Sequence, residues 1–161
     1  MASHRCRHGA RGHPVIVLGK GVVEWIAKRT NEFGGFGTDI GIGLAKNGAL
    51  VAGVAYADWN GPNVVCHIAA VGKRWATREY LRVIFDYPFN QLKANRITVC
   101  VGEGNAASRR FVEHLGFTLE AELAGAHPTG DLRIYRMFRS ECRFLKAPYA
   151  LAGTDLLRAA A

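Results

Sequence analysis

Apolar and polar residues repeat along this chain with a period that switches between two and three to four, and each switch marks an element. The short run Val15–Leu18 reads as a strand. Val22, Val23, Ile26 and Ala27, with Trp25 beside them, recur at helical spacing and predict a helix ending near Thr30 and Asn31. A Gly-rich segment follows, and beyond it the period falls to two over Asp39–Ala45 and Ala49–Asp58. Between those runs stands Lys46-Asn47-Gly48, and Asn-Gly is a hairpin signal because both residues tolerate positive φ. A second turn, Trp59 to Pro62, leads into Val64–Val71, so the three runs predict an antiparallel meander. Helical spacing returns in Tyr80, Leu81, Val83, Ile84 and Phe85. Thr77 stands where an N-cap belongs, and Glu79 suits the positive end of the helix. Pro88 has no N–H to continue the ladder and predicts a kink or stop near Tyr87. The final strand is Asp131–Phe138, where Leu132, Ile134, Arg136 and Phe138 alternate with Arg133, Tyr135 and Met137.

The rest of the chain is organised around the stretch from Arg96 to Phe117, RITVCVGEGNAASRRFVEHLGF. Ile97, Thr98, Val99, Cys100 and Val101 form an apolar, β-branched run bounded by Gly102 and Gly104, which predicts a buried strand. Asn105 sits at the N-cap of a helix whose apolar face is set by Ala107, Phe111 and Leu115, with Ser108 and Val112 on its shoulder. Gly116 is placed to end that helix as a left-handed residue. Phe117, Leu119 and Ala121 then open another strand.

A length of 161 residues suits one domain with a real core, over 14–146, between a basic tail (1–13) and a C-terminal tail (147–161). Lys and Arg number 21 against 13 Asp and Glu, a formal charge of +8 that points to anionic partners: nucleic acid, a membrane surface or a phosphorylated ligand. Cys6, Cys66, Cys100 and Cys142 contain no C-x-x-C pair, and two of them fall within apolar strands. That is the pattern of free thiols in a reduced, cytoplasmic setting. The only early apolar run, Val15–Leu18, is too short for a membrane span or a signal-peptide core, so no membrane partner is expected. His4, Cys6, His8 and His13 crowd an aperiodic tail without supporting acidic residues, so no metal site is expected there. The glycines between Gly34 and Gly37 complete neither a P-loop nor a dinucleotide fingerprint.

The spacing N-x-x-S-x-x-x-x-x-x-L-G-F, from Asn105 through Ser108 to Phe117, resembles the C-terminal half of GNAT-superfamily N-acetyltransferases. The likeness is to the branch that includes ribosomal-protein N-terminal acetyltransferases. It implies a single-domain α/β fold of mixed α+β character: a V-shaped, mostly antiparallel twisted sheet of roughly six to seven strands flanked by helices. It also implies acetyl-CoA as co-substrate, with the pyrophosphate held by backbone N–H groups where a strand turns into a helix. Gly72-Lys73-Arg74-Trp75-Ala76-Thr77 resembles the family's G-K-G-Y-A-T form, with Arg74 in place of the second glycine. An arginine there removes the close backbone approach that glycine allows, unless its side chain binds phosphate itself. Asn105 matches the family's asparagine on the pantetheine arm, and Ser108 the serine near the thioester sulfur. The tyrosine acid of many members falls at Val112. The resemblance places the strand N–H that polarises the thioester carbonyl among Ala69 to Val71. His67 is the candidate base, with Tyr56, Asp58, Glu103 or a water relay as alternatives.

The activity implied is transfer of an acetyl group to a primary amine, on a small molecule or a peptide, by direct attack on the thioester. The resemblance also suggests a homodimer. Two other readings compete. Arg74 and the missing tyrosine suit a GNAT fold that binds CoA or a partner without catalysis. The charge suits a basic nucleic-acid-binding module, against which stands the lack of a helix-turn-helix, zinc-finger spacing or an aromatic strand motif. Net positive charge argues against polycationic acceptors.

Overall fold

The computed structural model describes residues 13–30 and 35–146; the remainder of both tails, with His4, Cys6 and His8, and residues 31–34 lie outside the described residues. The strands are β1 (Val15–Leu18), β2 (Gly41–Lys46), β3 (Ala49–Ala57), β4 (Asn63–Ala70), β5 (Arg96–Gly102), β6 (Thr118–His127) and β7 (Gly130–Phe138). The helices are α1 (Lys20–Thr30), α2 (Arg78–Asp86) and α3 (Ala106–Leu115). One mixed sheet runs β1-β2-β3-β4-β5-β7-β6, and every neighbouring pair is antiparallel except β4 with β5. The expected meander is β2-β3-β4, and its first turn places Asn47 (φ 52°) and Gly48 (φ 80°) in the left-handed region.

The two faces of the sheet are covered differently. Ile42, Val54, Val64, Ile97, Val99 and Tyr135 turn to one side, where they meet α2, α3 and the segment around Phe144. On the other side α1 lays Val22, Val23 and Ile26 on Ala55. That helix sits close because β2 and β3 carry glycine beneath it. A Cβ on Gly53 would lie 2.9 Å from Val22 Cγ1 and 3.1 Å from the Ile26 side chain. By strand alternation, Arg96, Thr98, Cys100 and Gly102 face the α1 side of the sheet, which leaves Cys100 exposed despite its apolar surroundings in sequence.

Pro88 acts as expected and with a compensation. The α-helix stops at Asp86 and continues as a π-turn over Tyr87–Gln91, closed by Leu92 N–H to Tyr87 O at 3.0 Å. The carbonyl that a residue at 88 would have served is that of Ile84. It accepts instead from the Tyr56 hydroxyl, at 2.7 Å, across the core.

Helix α3 departs from the expected face. Val112 and Leu115 are buried, Ser108 and Phe111 are half-buried, and Ala107 is exposed. The inward stripe is therefore Ser108, Val112 and Leu115, rotated from the one that Ala107 suggested. Phe111 leans sideways onto Trp75, 4.9 Å between ring centroids, so its ring packs on the neighbouring loop rather than beneath its own helix.

Candidate active site

The site begins where the parallel pair comes apart. β4 and β5 are in register only over Asn63↔Arg96, Val64↔Ile97 and Val65↔Thr98, after which the ladder ends and the strands diverge. β4 continues on β3, pairing Ala69 with Gly53 and Ala70 with Ala52, and Val71 N–H donates to Val51 O at 2.8 Å. In an antiparallel ladder the residues that exchange hydrogen bonds alternate. The N–H groups of Val71 and Ala69 are therefore committed to β3, while those of Ile68 and Ala70 face the opening. Of the expected segment Ala69 to Val71, the ladder thus turns only the Ala70 N–H outward, and adds Ile68 from outside it.

At the end of β4 the chain turns through Gly72 (φ 75°) toward α2. Among the described residues, no N–H from Gly72 to Ala76 meets a backbone acceptor. Thr77 caps α2, its hydroxyl accepting from Tyr80 N–H at 3.3 Å, and the positive end of the helix points back at this arc. Lys73 and Arg74 are exposed on it, and Trp75 anchors it in the core, tilted against Phe111 and edge-on to Tyr80. Lys46, from the β2–β3 hairpin, donates to the Arg74 carbonyl at 2.9 Å. A cavity of about 410 Å³ opens between Lys46, Val51, Val71 and this loop. Arg74 is not among the residues with positive φ, so its backbone does not require glycine. Donor N–H groups, a helix N-terminus and three cations suit a diphosphate.

Opposite, β5 ends in a tight corner, with Asn105 N–H on Gly102 O at 3.0 Å. Asn105 Oδ1 accepts Ser108 N–H at 3.0 Å, the predicted cap, which leaves its Nδ2 donors without a partner among the described residues. Ser108 Oγ makes no hydrogen bond among the described residues. Val112, one turn on, is core. Gly116 ends the helix at φ 105°, as expected.

His67 lies on the α1 side of β4, half-buried, its ring stacked on Phe36 at 3.9 Å and 18°. Phe36 comes from the Gly-rich segment, whose aperiodic sequence carried no sign of this contact. The same residue lines a cavity of about 600 Å³ between α1 and residues 35–39, with Glu24, Lys28 and Asp39 on its walls. Of the other candidate bases, Tyr56 is excluded: it is buried, donates to Ile84 O, and burial, with Cys66 adding to it, pushes its ionisation far up. Asp58 and Glu103 are exposed. No group of three or more His, Cys, Asp or Glu among the described residues is placed to hold a metal, and no helix there is long and apolar enough to cross a membrane.

The sequence matches no protein-family model and no curated protein. Solved structures do match. A probable acetyltransferase is 23% identical over 63% of this chain and 62% of its own, with a TM-score of 0.52. Mutant forms of a spermidine/spermine N-acetyltransferase from Vibrio cholerae align over 80% of this chain and 96% of theirs, at 14% identity and a TM-score of 0.63. A ribosomal-protein-S5-alanine acetyltransferase from Vibrio fischeri aligns over 65% and 63%, at 14% identity and a TM-score of 0.55. The chain thus spans less than two thirds of the first and third of these proteins. At such identities the likeness is one of fold. With its splayed, seven-stranded mixed sheet between helices, this chain has the fold of the GNAT acetyltransferases.

Proposed function

We propose that this protein is an acetyl-CoA-dependent N-acetyltransferase that acts on a primary amine of a small molecule or peptide. The observation that carries the reading is the opening between β4 and β5, bordered on one arm by the donor-rich loop Gly72–Ala76 and on the other by Asn105 and Ser108. Bound acetyl-CoA supplies an acyl group activated as a thioester. The loop N–H groups, with Lys73 and Arg74, hold its diphosphate. Asn105 Nδ2 binds the pantetheine amide while Oδ1 keeps the helix capped. The N–H of Ile68 or Ala70 polarises the carbonyl. His67 takes the first proton from the ammonium, and Ser108 Oγ passes to the departing sulfur the second proton that the nitrogen loses on acylation. The free thiols of Cys66, Cys100 and Cys142 suit a reduced cytoplasmic setting.

Calorimetric titration with acetyl-CoA, followed by a thiol-release assay over a panel of amines, tests this. Saturable binding is expected, weakened about tenfold by Arg74→Ala because a charge-assisted contact is lost. Tighter binding by that variant would mean that Arg74 obstructs the loop, and no binding by either protein overturns the reading. The buried Val112 favours one alternative, a coenzyme-binding protein without turnover. Binding with no thiol release from any amine would select it.

A further inference from the structure

The loop from β4 to α2 is fastened by its carbonyl groups. Thr77 N–H donates to Trp75 O at 2.7 Å, and Lys46 Nζ donates to Arg74 O at 2.9 Å. Lys46 reaches across from the β2–β3 hairpin, 28 residues earlier in the chain. Alternation along β2 puts it on the face of Ile42 and Leu44, the side of the sheet that carries α2. A bulge in β3 lies beside it. Leu44 pairs with Ala52 and Ala45 with Leu50, so Val51 has no partner on β2, while its carbonyl takes the Val71 N–H. Lys46, Val51, Val71 and Arg74 thus meet around the cavity of about 410 Å³.

A trans peptide is planar, and its C=O and N–H point in opposite directions. Lys46 draws the oxygen of the Arg74–Trp75 plane to the β3 side of the loop, so the Trp75 N–H is turned the other way. β4 has β3 on one side and β5 on the other, so the side away from Lys46 is that of the opening. By the same rule, the bond from Thr77 to Trp75 O turns the Ala76 N–H away from Thr77. Neither of these N–H groups has a protein acceptor among the described residues. A flip of the 74–75 plane would put a carbonyl oxygen where the N–H stands and would repel an anion. Arg74 has no left-handed φ to bar that flip, and the buried Trp75 ring fixes its own residue but not the plane before it.

We infer that Lys46 is a positioning residue for coenzyme A: its hydrogen bond to Arg74 O keeps the Trp75 N–H aimed at the diphosphate. It thereby makes up for the glycine that the G-K-G-Y-A-T loop carries at this position. The inference rests on the acetyl-transfer reading for the identity of the ligand. Lys46 adds its charge to those of Lys73 and Arg74, but from behind the loop, so its effect passes through the peptide plane.

The test uses Lys46→Met, which keeps the length and loses the donor, and Lys46→Arg, which keeps a donor. In the ligand-free chain, Lys46→Met should shift the NMR resonances of the Arg74 carbonyl and the Trp75 amide, with the melting temperature near wild type. ADP carries a diphosphate without a thioester and serves as the probe of the loop. Its affinity, read by calorimetry, should fall about tenfold in Lys46→Met and recover in Lys46→Arg. That ratio should persist at high salt, because a peptide orientation is not screened. Unshifted Arg74 and Trp75 resonances in Lys46→Met overturn the inference. So does a loss that vanishes at high salt, which would make Lys46 a point charge. A Trp75 amide that ADP leaves unmoved in the wild type overturns it too, whatever the turnover. If ADP behaves as expected while no amine releases thiol from acetyl-CoA, the acetyl-transfer reading fails and the role of Lys46 stands.

Discussion

Asn105 caps α3 with one end of its amide, the proposed function assigns the other end to acetyl-CoA, and the two can be separated. Its Oδ1 holds the first turn of α3 through Ser108 N–H, while its Nδ2 faces no protein partner among the described residues. Asn105→Asp keeps an acceptor for the cap and loses the donors. Thermal stability should stay near wild type and acetyl-CoA affinity should fall about tenfold. Asn105→Ala should lose both, with about 1 kcal/mol of stability gone. Melting curves and calorimetry on the two variants check this, and equal destabilisation by both would show that the cap does not depend on Oδ1. The neighbouring Ser108 stands out in the sequence as a candidate only through its spacing from Asn105. That its hydroxyl is left without a hydrogen bond, rather than bonded back to the helix, is a matter of packing.

Helix α2 shows how one element leans on another. Pro88 withholds the N–H that Ile84 O would have received, and Tyr56, near the end of β3, supplies a hydroxyl in its place. Tyr56→Phe should leave that carbonyl buried and unpaired and cost about 1–3 kcal/mol. Adding Pro88→Ala restores an N–H at 88, so it should recover part of the loss. Chemical denaturation of the two single variants and the double variant measures the coupling. Simple additivity would mean the two groups do not share the carbonyl. The break at Pro88 was readable in the sequence, because proline's missing donor is a local property. Its compensation was not, since Tyr56 and Ile84 stand 28 residues apart and alternation alone cannot say which strand passes under which turn. The face of α3 was misread for a related reason. Ala107, Phe111 and Leu115 make a plausible stripe, but Phe111 finds its partner in Trp75, on a different segment.

Among the described residues the buried ionisable groups are thiols and phenols, not carboxylates. Burial raises Cys66, Tyr56 and Tyr80 well above their ordinary values, and pushes Cys142 up to about 11. A group that the fold keeps protonated contributes stability that is full below its unfolded value and lost as pH rises beyond it. With free thiols ionising at about 8.5 and phenols at about 10, the melting temperature should hold to about pH 8 and fall steadily above about pH 9. Thermal melts in reducing buffer test this. A melting temperature level to about pH 11 would contradict the burial of these groups.

What the chain's own order of residues settled was local: the hairpin at Asn47-Gly48, the caps at Thr77, Asn105 and Gly116, the stop at Pro88, and the strand-helix-strand unit around Asn105. Each follows from backbone preferences of residues within a few positions of one another. The parts that turn the unit into a candidate site are not local. The divergence of β4 from β5, the outward N–H groups of Ile68 and Ala70, Phe36 on His67, and Lys46 on Arg74 all join segments far apart in sequence. Packing of one strand or loop against another decides them, and periodicity along a single strand holds no information about which distant partner it will meet.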